Sequence, residues 1–333
     1  MLTSLPVHEL LEKTKANEVL CGRLLPTNNN VAFIDNNTIY TVTVVDNTDE
    51  NKPIAFGAFH ICSKNQVVEI ADPEIQAEYL PQYYGAFGDR INQPALVHAY
   101  DQLIEMTFTI YNMDVTKNIT VDLYNFELFN EDKKVEMRDR LGFLVSNDCN
   151  IYEVTANKSV LQNIMDEETE QNIYLSYEEM TEANKEYILD YDSTISLYNR
   201  DIYLEFLLSI KEIVKQPIFS IMRKKINNLL QLNGVVACEA GQPVGYALGL
   251  NNRVLQCYAE TESIARGLLR ELLPKISGEA VTMFVPERKD KASATILDKA
   301  IDARRIQRYH SRIIPAQIKW EAIFAMNIGL ALY

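Results

Sequence analysis

The sequence predicts an α/β (α+β) protein with two similar domains in tandem, each a mixed twisted sheet flanked by helices. Three observations predict this fold: strand-like runs come in hairpin pairs, a helix follows each pair, and the same order of elements occurs twice in 333 residues. A chain of this length usually forms about two domains. With 47% hydrophobic residues it can bury a core in both.

The first copy opens with a hairpin. Apolar and β-branched runs over 38–45 and 53–62 flank the polar turn DNTDEN, a pattern typical of two antiparallel strands. Three further elements are predicted in order: a helix over 93–106 with Pro94 in its first turn, a strand over 118–124 and a helix over 127–141.

The second copy repeats that order. The runs GVVACEA (234–240) and PVGYALGL (243–250) flank a Gly-Gln turn and predict a second hairpin. The elements predicted after it are a helix over 261–273, a strand over 279–286 and a helix over 290–303. Repetition of an element order indicates two similar domains, which we place at 1–160 and 161–333.

The segment between the copies is polar and acidic. We expect the stretch 157–172 to be a surface connector, because it carries an acidic run. Ser176 and Glu179 have the spacing of a capping box, which predicts a helix over 177–191.

Charge and cysteine usage exclude several classes of protein. The formal charge of −14 disfavours nucleic acid and anionic membranes as partners. The N-terminus lacks the pattern of a secretory signal. The five cysteines are scattered and form no C-x-x-C, and the four histidines share no helix turn. We therefore expect a cytoplasmic or nuclear protein with reduced thiols and without a metal site.

The stretch YYGAFGDR, residues 83–90, is the strongest local signal for a ligand. Gly85 and Gly88 lie three residues apart after a polar, proline-broken run. Glycine lets backbone N–H groups approach a phosphate closely, as they do at helix N-termini and backbone nests. The same spacing also suits a sharp turn between two elements, and the sequence leaves both interpretations open.

The element order and several motifs resemble the GNAT superfamily of acyl-CoA-dependent N-acetyltransferases. YLPQYYGAFGDRI lies where that family keeps its pyrophosphate loop, usually written Q/R-x-x-G-x-G/A, and DRLGF (139–143) is similar to its helix-end LGF. In the second half, YILDYDSTISLYNRDIYLEFL, QPVGYALG, CYAETESIARGLL and VTMFVP resemble the YitH/HolE-type GNAT domain. That domain is the second half of two-domain proteins, including a large nematode group.

The resemblance implies a site for acetyl-CoA or another acyl-CoA. In such proteins two neighbouring parallel strands splay apart, and the pantetheine arm lies between them like an added strand. Here these strands would lie near 66–70 and 118–124. The implied cofactor-binding residues are Gln82, Gly85, Ala86, Phe87, Gly88, Asp89 and Arg90. Phe87 is bulky where the family has a small residue, and Asp89 brings a negative charge that Arg90 partly offsets.

The catalytic positions depart from the family in part. A tyrosine four residues before the glycine of LGF commonly protonates the leaving thiolate, but this chain has Arg138 there, which stays charged and cannot act as an acid. Tyr124, at a strand end, is the candidate proton donor. In the second copy QCYAETES replaces the loop motif, and Glu260 and Thr261 would oppose a pyrophosphate. Gly245 either permits close packing or offers a backbone amide to the thioester.

Two functions remain open from the sequence. The first is an acyl-CoA-dependent N-acyltransferase that acts on a small-molecule or protein amine, since an acidic protein attracts cations. The second is a catalytically degenerate GNAT-fold protein that binds acyl-CoA or a protein partner, which Phe87, Asp89 and Arg138 favour.

Overall fold

The structure is a computed structural model that divides into two compact units. The first unit comprises Met1–Asn147 with Arg308–Ile314, and the second comprises Asp148–Gln307 with Pro315–Tyr333. The residues described are 2–3, 39–45, 53–63, 66–75, 83–85, 92–94, 118–124, 138–139, 145–146, 150–166, 174–196, 204, 208, 232–287, 291–312, 314 and 318–326.

The described elements are mainly strands. The strands are β1 (Leu2–Thr3), β2 (Ile39–Val45), β3 (Pro53–Ser63), β4 (Gln66–Ile75), β5 (Tyr83–Gly85), β6 (Asn92–Pro94), β7 (Asn118–Tyr124), β8 (Val145–Ser146), β9 (Ile151–Asn157), β10 (Leu175–Glu179), β11 (Leu232–Glu239), β12 (Gln242–Leu250), β13 (Arg253–Ala259), β14 (Ala280–Pro286), β15 (Asp302–His310) and β16 (Ile323–Ala325). The helices are α1 (Lys158–Asp166), α2 (Glu186–Ser193), α3 (Glu262–Leu272) and α4 (Lys291–Asp298).

The sheet of the first unit is a meander followed by a parallel neighbour. Strands β1 to β4 pair antiparallel in succession, and β4 pairs parallel with β7. The predicted hairpin over 38–45 and 53–62 is therefore confirmed as β2 and β3. A separate two-stranded sheet consists of β5 and β6. The last residues of β15, Tyr309 and His310, pair with β8.

The second unit repeats the meander and the parallel neighbour. Strands β10 to β13 pair antiparallel, and β13 pairs parallel with β14. The other edge of β14 pairs with β9, which in turn pairs with residues 302–306 of β15. The predicted hairpin and the predicted strand over 279–286 are present as β11–β12 and β14.

Helix α3 packs an apolar stripe against this sheet. Ile264, Leu268, Leu269 and Leu272 recur at helical spacing and are buried, as expected for a stripe that faces a core. Helix α1 packs against α3. The expectation that 157–172 is only a surface connector is wrong for residues 158–166, because Leu161, Ile164 and Met165 form a buried stripe there.

The capping-box prediction is also wrong. Ser176 and Glu179 lie in β10, which pairs with β11, and α2 begins only at Glu186. The edge of β11 has backbone N–H and C=O groups that need hydrogen-bond partners, and residues 175–179 (LSYEE) supply these partners by forming a strand. Tyr177 of that strand lies over α3, so close that a Cβ added at Gly267 would be 2.0 Å from the Tyr177 hydroxyl oxygen.

Two predicted helices include residues that the structure places in strands. The helix predicted over 290–303 ends at Asp298, because residues from Asp302 onward pair with β9. The helix predicted over 93–106 does not include Gln93 and Pro94, which belong to β6. Proline has no N–H to donate and is tolerated in a short edge strand of this kind. Residues 95–106 lie outside the described part of the chain.

The turn of the β11–β12 hairpin consists of Ala240 and Gly241, one residue earlier than the Gly-Gln pair predicted. Their φ angles are 49° and 80°, so both central residues are left-handed, as in a type I′ turn. Gly241 adopts such angles at no steric cost, whereas alanine does not.

Ala240→Asn should therefore stabilise the protein by about 0.5–1 kcal/mol, because asparagine tolerates a left-handed φ better than alanine. The measurement is the urea unfolding midpoint. Gly241→Ala is the opposite change at the neighbouring position and should lower the midpoint. Equal stability of all three proteins would show that the turn does not limit stability.

Candidate functional site

The first unit contains the splayed pair of parallel strands that the sequence predicted. Strands β4 and β7 pair at Gln66–Asn118, Val67–Ile119 and Val68–Thr120. Both strands then continue, β4 to Ile75 and β7 to Tyr124, without pairing with each other. We call the gap between residues 69–75 of β4 and 121–124 of β7 the first opening. Unpaired strand edges can bind an extended ligand through backbone N–H and C=O groups.

A buried hydrogen bond lies at the point where these strands part. The Thr120 hydroxyl oxygen lies 2.8 Å from Nδ1 of His310, and both residues are fully buried. Ser311 adds two bonds to Ile119: its backbone N–H donates to the Ile119 carbonyl and its hydroxyl accepts from the Ile119 N–H, both at 2.9 Å. The end of β15 thereby holds the start of β7 in place.

Sequence reasoning missed this contact. It treated His310 as one of four unconnected histidines, because Thr120 is 190 positions away in the chain. A threonine within a β-branched run such as NITVDLY is ordinary for a strand. The local sequence therefore contains no signal for the pair.

The predicted cofactor-binding residues are described only in part. Gly85 ends β5 and pairs with Asn92 of β6, so it lies in a strand. The others, Gln82, Ala86, Phe87, Gly88, Asp89 and Arg90, lie outside the described residues.

The two residues considered for catalysis occupy different settings. Tyr124 is the last residue of β7, four positions beyond Thr120, and so lies at the first opening. Arg138 is exposed and donates from Nε to Asp139 at 2.6 Å. This hydrogen bond raises the pKa of Arg138 above its usual value, which keeps the side chain charged.

The second unit has a corresponding parallel pair. Strands β13 and β14 pair at Arg253–Thr282 and Val254–Met283, and both then continue. We call the gap between residues 255–259 of β13 and 284–286 of β14 the second opening.

The chain itself occupies the second opening. Strand β16 pairs antiparallel with β13, with Ala325 opposite Cys257 and Ile323 opposite Tyr258. On the other side, the Met326 N–H donates to the Phe284 carbonyl at 2.9 Å. Residues 323–326, which we call the inserted segment, thus bond to both strands.

The start of α3 carries acidic side chains where a pyrophosphate would be expected. The Thr261 hydroxyl accepts from the Ile264 N–H at 3.3 Å and caps the helix. The Glu262 carboxylate accepts from Nε and Nη2 of Arg266 at 2.9 and 2.7 Å. A carboxylate in the first turn already complements the helix dipole. The start of α3 is therefore a poor anion site.

A buried polar cluster lies beside the point where β13 and β14 part. The Tyr246 hydroxyl donates to the Asp192 carboxylate at 2.5 Å and lies 3.3 Å from Oε1 of Gln256. Burial raises the pKa of Tyr191, whose ring packs edge-on against Tyr246 with centroids 6.3 Å apart. The cluster attaches α2 to β12.

Close packing of two strands explains the glycine at position 245. A Cβ at this position would lie 2.7 Å from the Tyr258 carbonyl oxygen and 3.0 Å from Cα of Ala259. Since both contacts are backbone atoms, only glycine lets β12 and β13 approach this closely.

The described residues show neither a metal site nor a membrane span. They contain no group of three or more His, Cys, Asp or Glu side chains that could hold a metal ion. No helix among them is long and apolar enough to cross a membrane.

Thr120→Val should destabilise the protein by about 1–3 kcal/mol, because it removes the partner of the fully buried His310 Nδ1 without changing side-chain volume greatly. Urea unfolding measures the loss. Thr155→Val is the matched control: it removes a half-buried hydroxyl that lies 3.1 Å from the Thr282 hydroxyl, and it should cost less. Wild-type stability in Thr120→Val would contradict a structural role for the His310 contact.

Comparison with known proteins gives a family match for part of the chain. Residues 66–145 match a domain of unknown function, DUF7596. This region includes β4, β7 and the predicted cofactor loop. No curated protein matches the chain.

Solved structures resemble nearly the whole chain. A putative acetyltransferase from Pyrococcus horikoshii is 9% identical, with a TM-score of 0.52 and coverage of 98% of this chain and 93% of that one. A tandem GNAT protein from the clavulanic acid biosynthesis pathway, solved without AcCoA, is also 9% identical, with a TM-score of 0.50 and coverage of 94% and 99%. At such low identity these likenesses show the fold alone. The chain has the GNAT fold, and the predicted fold class is confirmed.

Proposed function

We propose that this protein is an acyl-CoA-dependent N-acyltransferase whose co-substrate lies in the first opening. One observation supports this assignment above the others. The strands β4 and β7 pair over three residue pairs and then part, and among the described residues no other strand pairs into the gap. The GNAT fold uses such a gap for the pantetheine arm of acetyl-CoA or another acyl-CoA.

The pyrophosphate would be held by backbone N–H groups of residues 82–90. An acidic protein of formal charge −14 offers no general attraction for an anion, so the binding must come from local amides. Gly85 is the last residue of β5, and we propose that its lack of a side chain lets its own N–H group and those of the residues after it approach the phosphates.

The reaction would be direct acyl transfer. The amine nitrogen of the acceptor forms a bond to the thioester carbon, the carbon–sulfur bond breaks, and the bonding electrons leave with the sulfur. The ammonium formed loses a proton to solvent or a base. We propose that Tyr124 donates a proton to the departing thiolate, since its place at the end of β7 puts it beside the first opening.

The acceptor we propose is a small-molecule or protein amine. Cationic amines are attracted by the net negative charge of the chain. We also propose that the second half is a YitH/HolE-like GNAT domain, and that the protein is cytoplasmic or nuclear. Cys238 and Cys257 are buried thiols that form no disulfide, which suits a reducing compartment.

The alternative is a catalytically degenerate protein that keeps the fold for binding acyl-CoA or a protein partner. Arg138 supports this alternative, because it replaces the family's proton donor and its charge is held by Asp139. Catalysis with Tyr124 as donor distinguishes the two functions.

Titration of the full chain with acetyl-CoA tests the proposal directly. We expect heat of binding at micromolar concentrations of acetyl-CoA. The absence of any heat up to millimolar concentrations would contradict an acyl-CoA site. Gly85→Val should weaken this binding by on the order of a hundredfold, because a side chain there keeps two or more charge-assisted N–H···phosphate bonds from forming.

One control separates affinity from folding in Gly85→Val. Pantetheine lacks the pyrophosphate, so its affinity should not change. Valine is favourable in strands. If Gly85 is only a residue of β5, the variant will bind acetyl-CoA as the wild type does.

Tyr124→Phe should reduce turnover by about 10²–10⁴-fold, because the thiolate loses its proton donor, while acetyl-CoA affinity stays unchanged. The assay is release of free CoA thiol from acetyl-CoA in the presence of a polyamine, an amino acid or a lysine peptide. Tyr174→Phe, at a 70% exposed tyrosine of the second unit, is the matched control. Binding without turnover in the wild type would favour the non-catalytic alternative.

A further inference from the structure

The second opening differs from the first in one respect: a peptide strand fills it. The inserted segment, residues 323–326, pairs with β13 through Ile323 and Ala325 and with β14 through Met326. The pairing is antiparallel to β13.

The inserted segment is deeply buried. Ile323, Ala325 and Met326 are fully buried, and Phe324 is 7% exposed. Phe324 and Ala325 belong to the same apolar cluster as Leu268 of α3. The segment is thus part of the core of its unit as well as of the sheet.

Backbone bonding and the local charge favour a peptide here over acyl-CoA. The Phe284 carbonyl already accepts from the Met326 N–H at 2.9 Å, so the edge of β14 is used where an added ligand would need it. The carboxylate of Glu262 lies in the first turn of α3, which follows β13. This carboxylate is ion-paired with Arg266 and already complements the positive end of the helix dipole. A pyrophosphate would therefore gain little at this helix start, whereas a neutral peptide backbone does not depend on such a gain.

We infer that the second opening is a strand-binding peptide groove that this chain fills in cis with residues 323–326. As a consequence, which rests on the proposed function of the first opening, each chain binds one acyl-CoA and not two. The groove recognises an extended peptide through β-strand addition, in which backbone hydrogen bonds give affinity and small or apolar side chains fit between the flanking strands.

Hydrogen exchange on the wild-type chain is the first test. Amides of 323–326 should exchange at least a hundredfold more slowly than in an unstructured peptide. Exchange at the unprotected rate would overturn the inference.

A pair of variants at one position is the second test. Met326→Pro removes the N–H that bonds to Phe284 and cannot replace it, whereas Met326→Leu keeps the bond and similar bulk. Exchange within 323–326 should rise at least tenfold in Met326→Pro and stay near the wild-type rate in Met326→Leu.

A synthetic peptide of residues 319–328 probes the groove in trans. It should bind Met326→Pro at least tenfold more tightly than it binds the wild type, whose groove is already filled. Equal affinity for the two proteins would overturn the inference, and so would loss of exchange protection in Met326→Leu.

Acetyl-CoA stoichiometry separates this inference from the proposed function. One acetyl-CoA site per wild-type chain supports both the filled groove and the acyltransferase proposal. Two sites would overturn the filled groove and leave the acyltransferase proposal standing. If no acetyl-CoA binds, the proposed function fails, and the exchange and peptide measurements still decide the inference.

Discussion

The structure depends on one constraint. Where two neighbouring parallel strands part, their backbone N–H and C=O groups lose their strand partners. Such groups are costly unless water, a ligand or another segment satisfies them. Parallel pairing lasts for three residue pairs between β4 and β7 and for two between β13 and β14. In each unit the parted strands therefore leave backbone groups that water, a ligand or another segment must satisfy.

The two units satisfy this requirement differently. In the second unit the chain supplies its own strand, and burial of residues such as Ile323 and Met326 stabilises the closed gap. In the first unit, the described residues place no strand between β4 and β7. The contact of Thr120 with His310 lies where those strands part. Under the proposed function, a gap held in place by such a contact would cost little to reorganise when a ligand binds.

Much of the fold follows from the sequence, and the predictions that were wrong have a common cause. The hairpins and the strands β7 and β14 were predicted because apolar runs between turn residues are local signals. Ser176 and Glu179 were assigned to a helix because their spacing is also a local signal, but the unpaired edge of β11 decided the conformation of that segment. The acidic connector was likewise misjudged, since the burial of Leu161 depends on packing against α3.

The sequence by itself predicted the repeated order of elements, the GNAT-like fold class and a glycine-containing stretch at residues 83–90 as a candidate ligand loop. Only the tertiary structure decided that residues 323–326 fill the second opening and that His310 meets Thr120. The physical reason is that strand pairing uses backbone groups common to nearly every residue. Side-chain patterns predict that a segment is a strand, but the identity of its partner depends on which edge remains free when the sheet assembles.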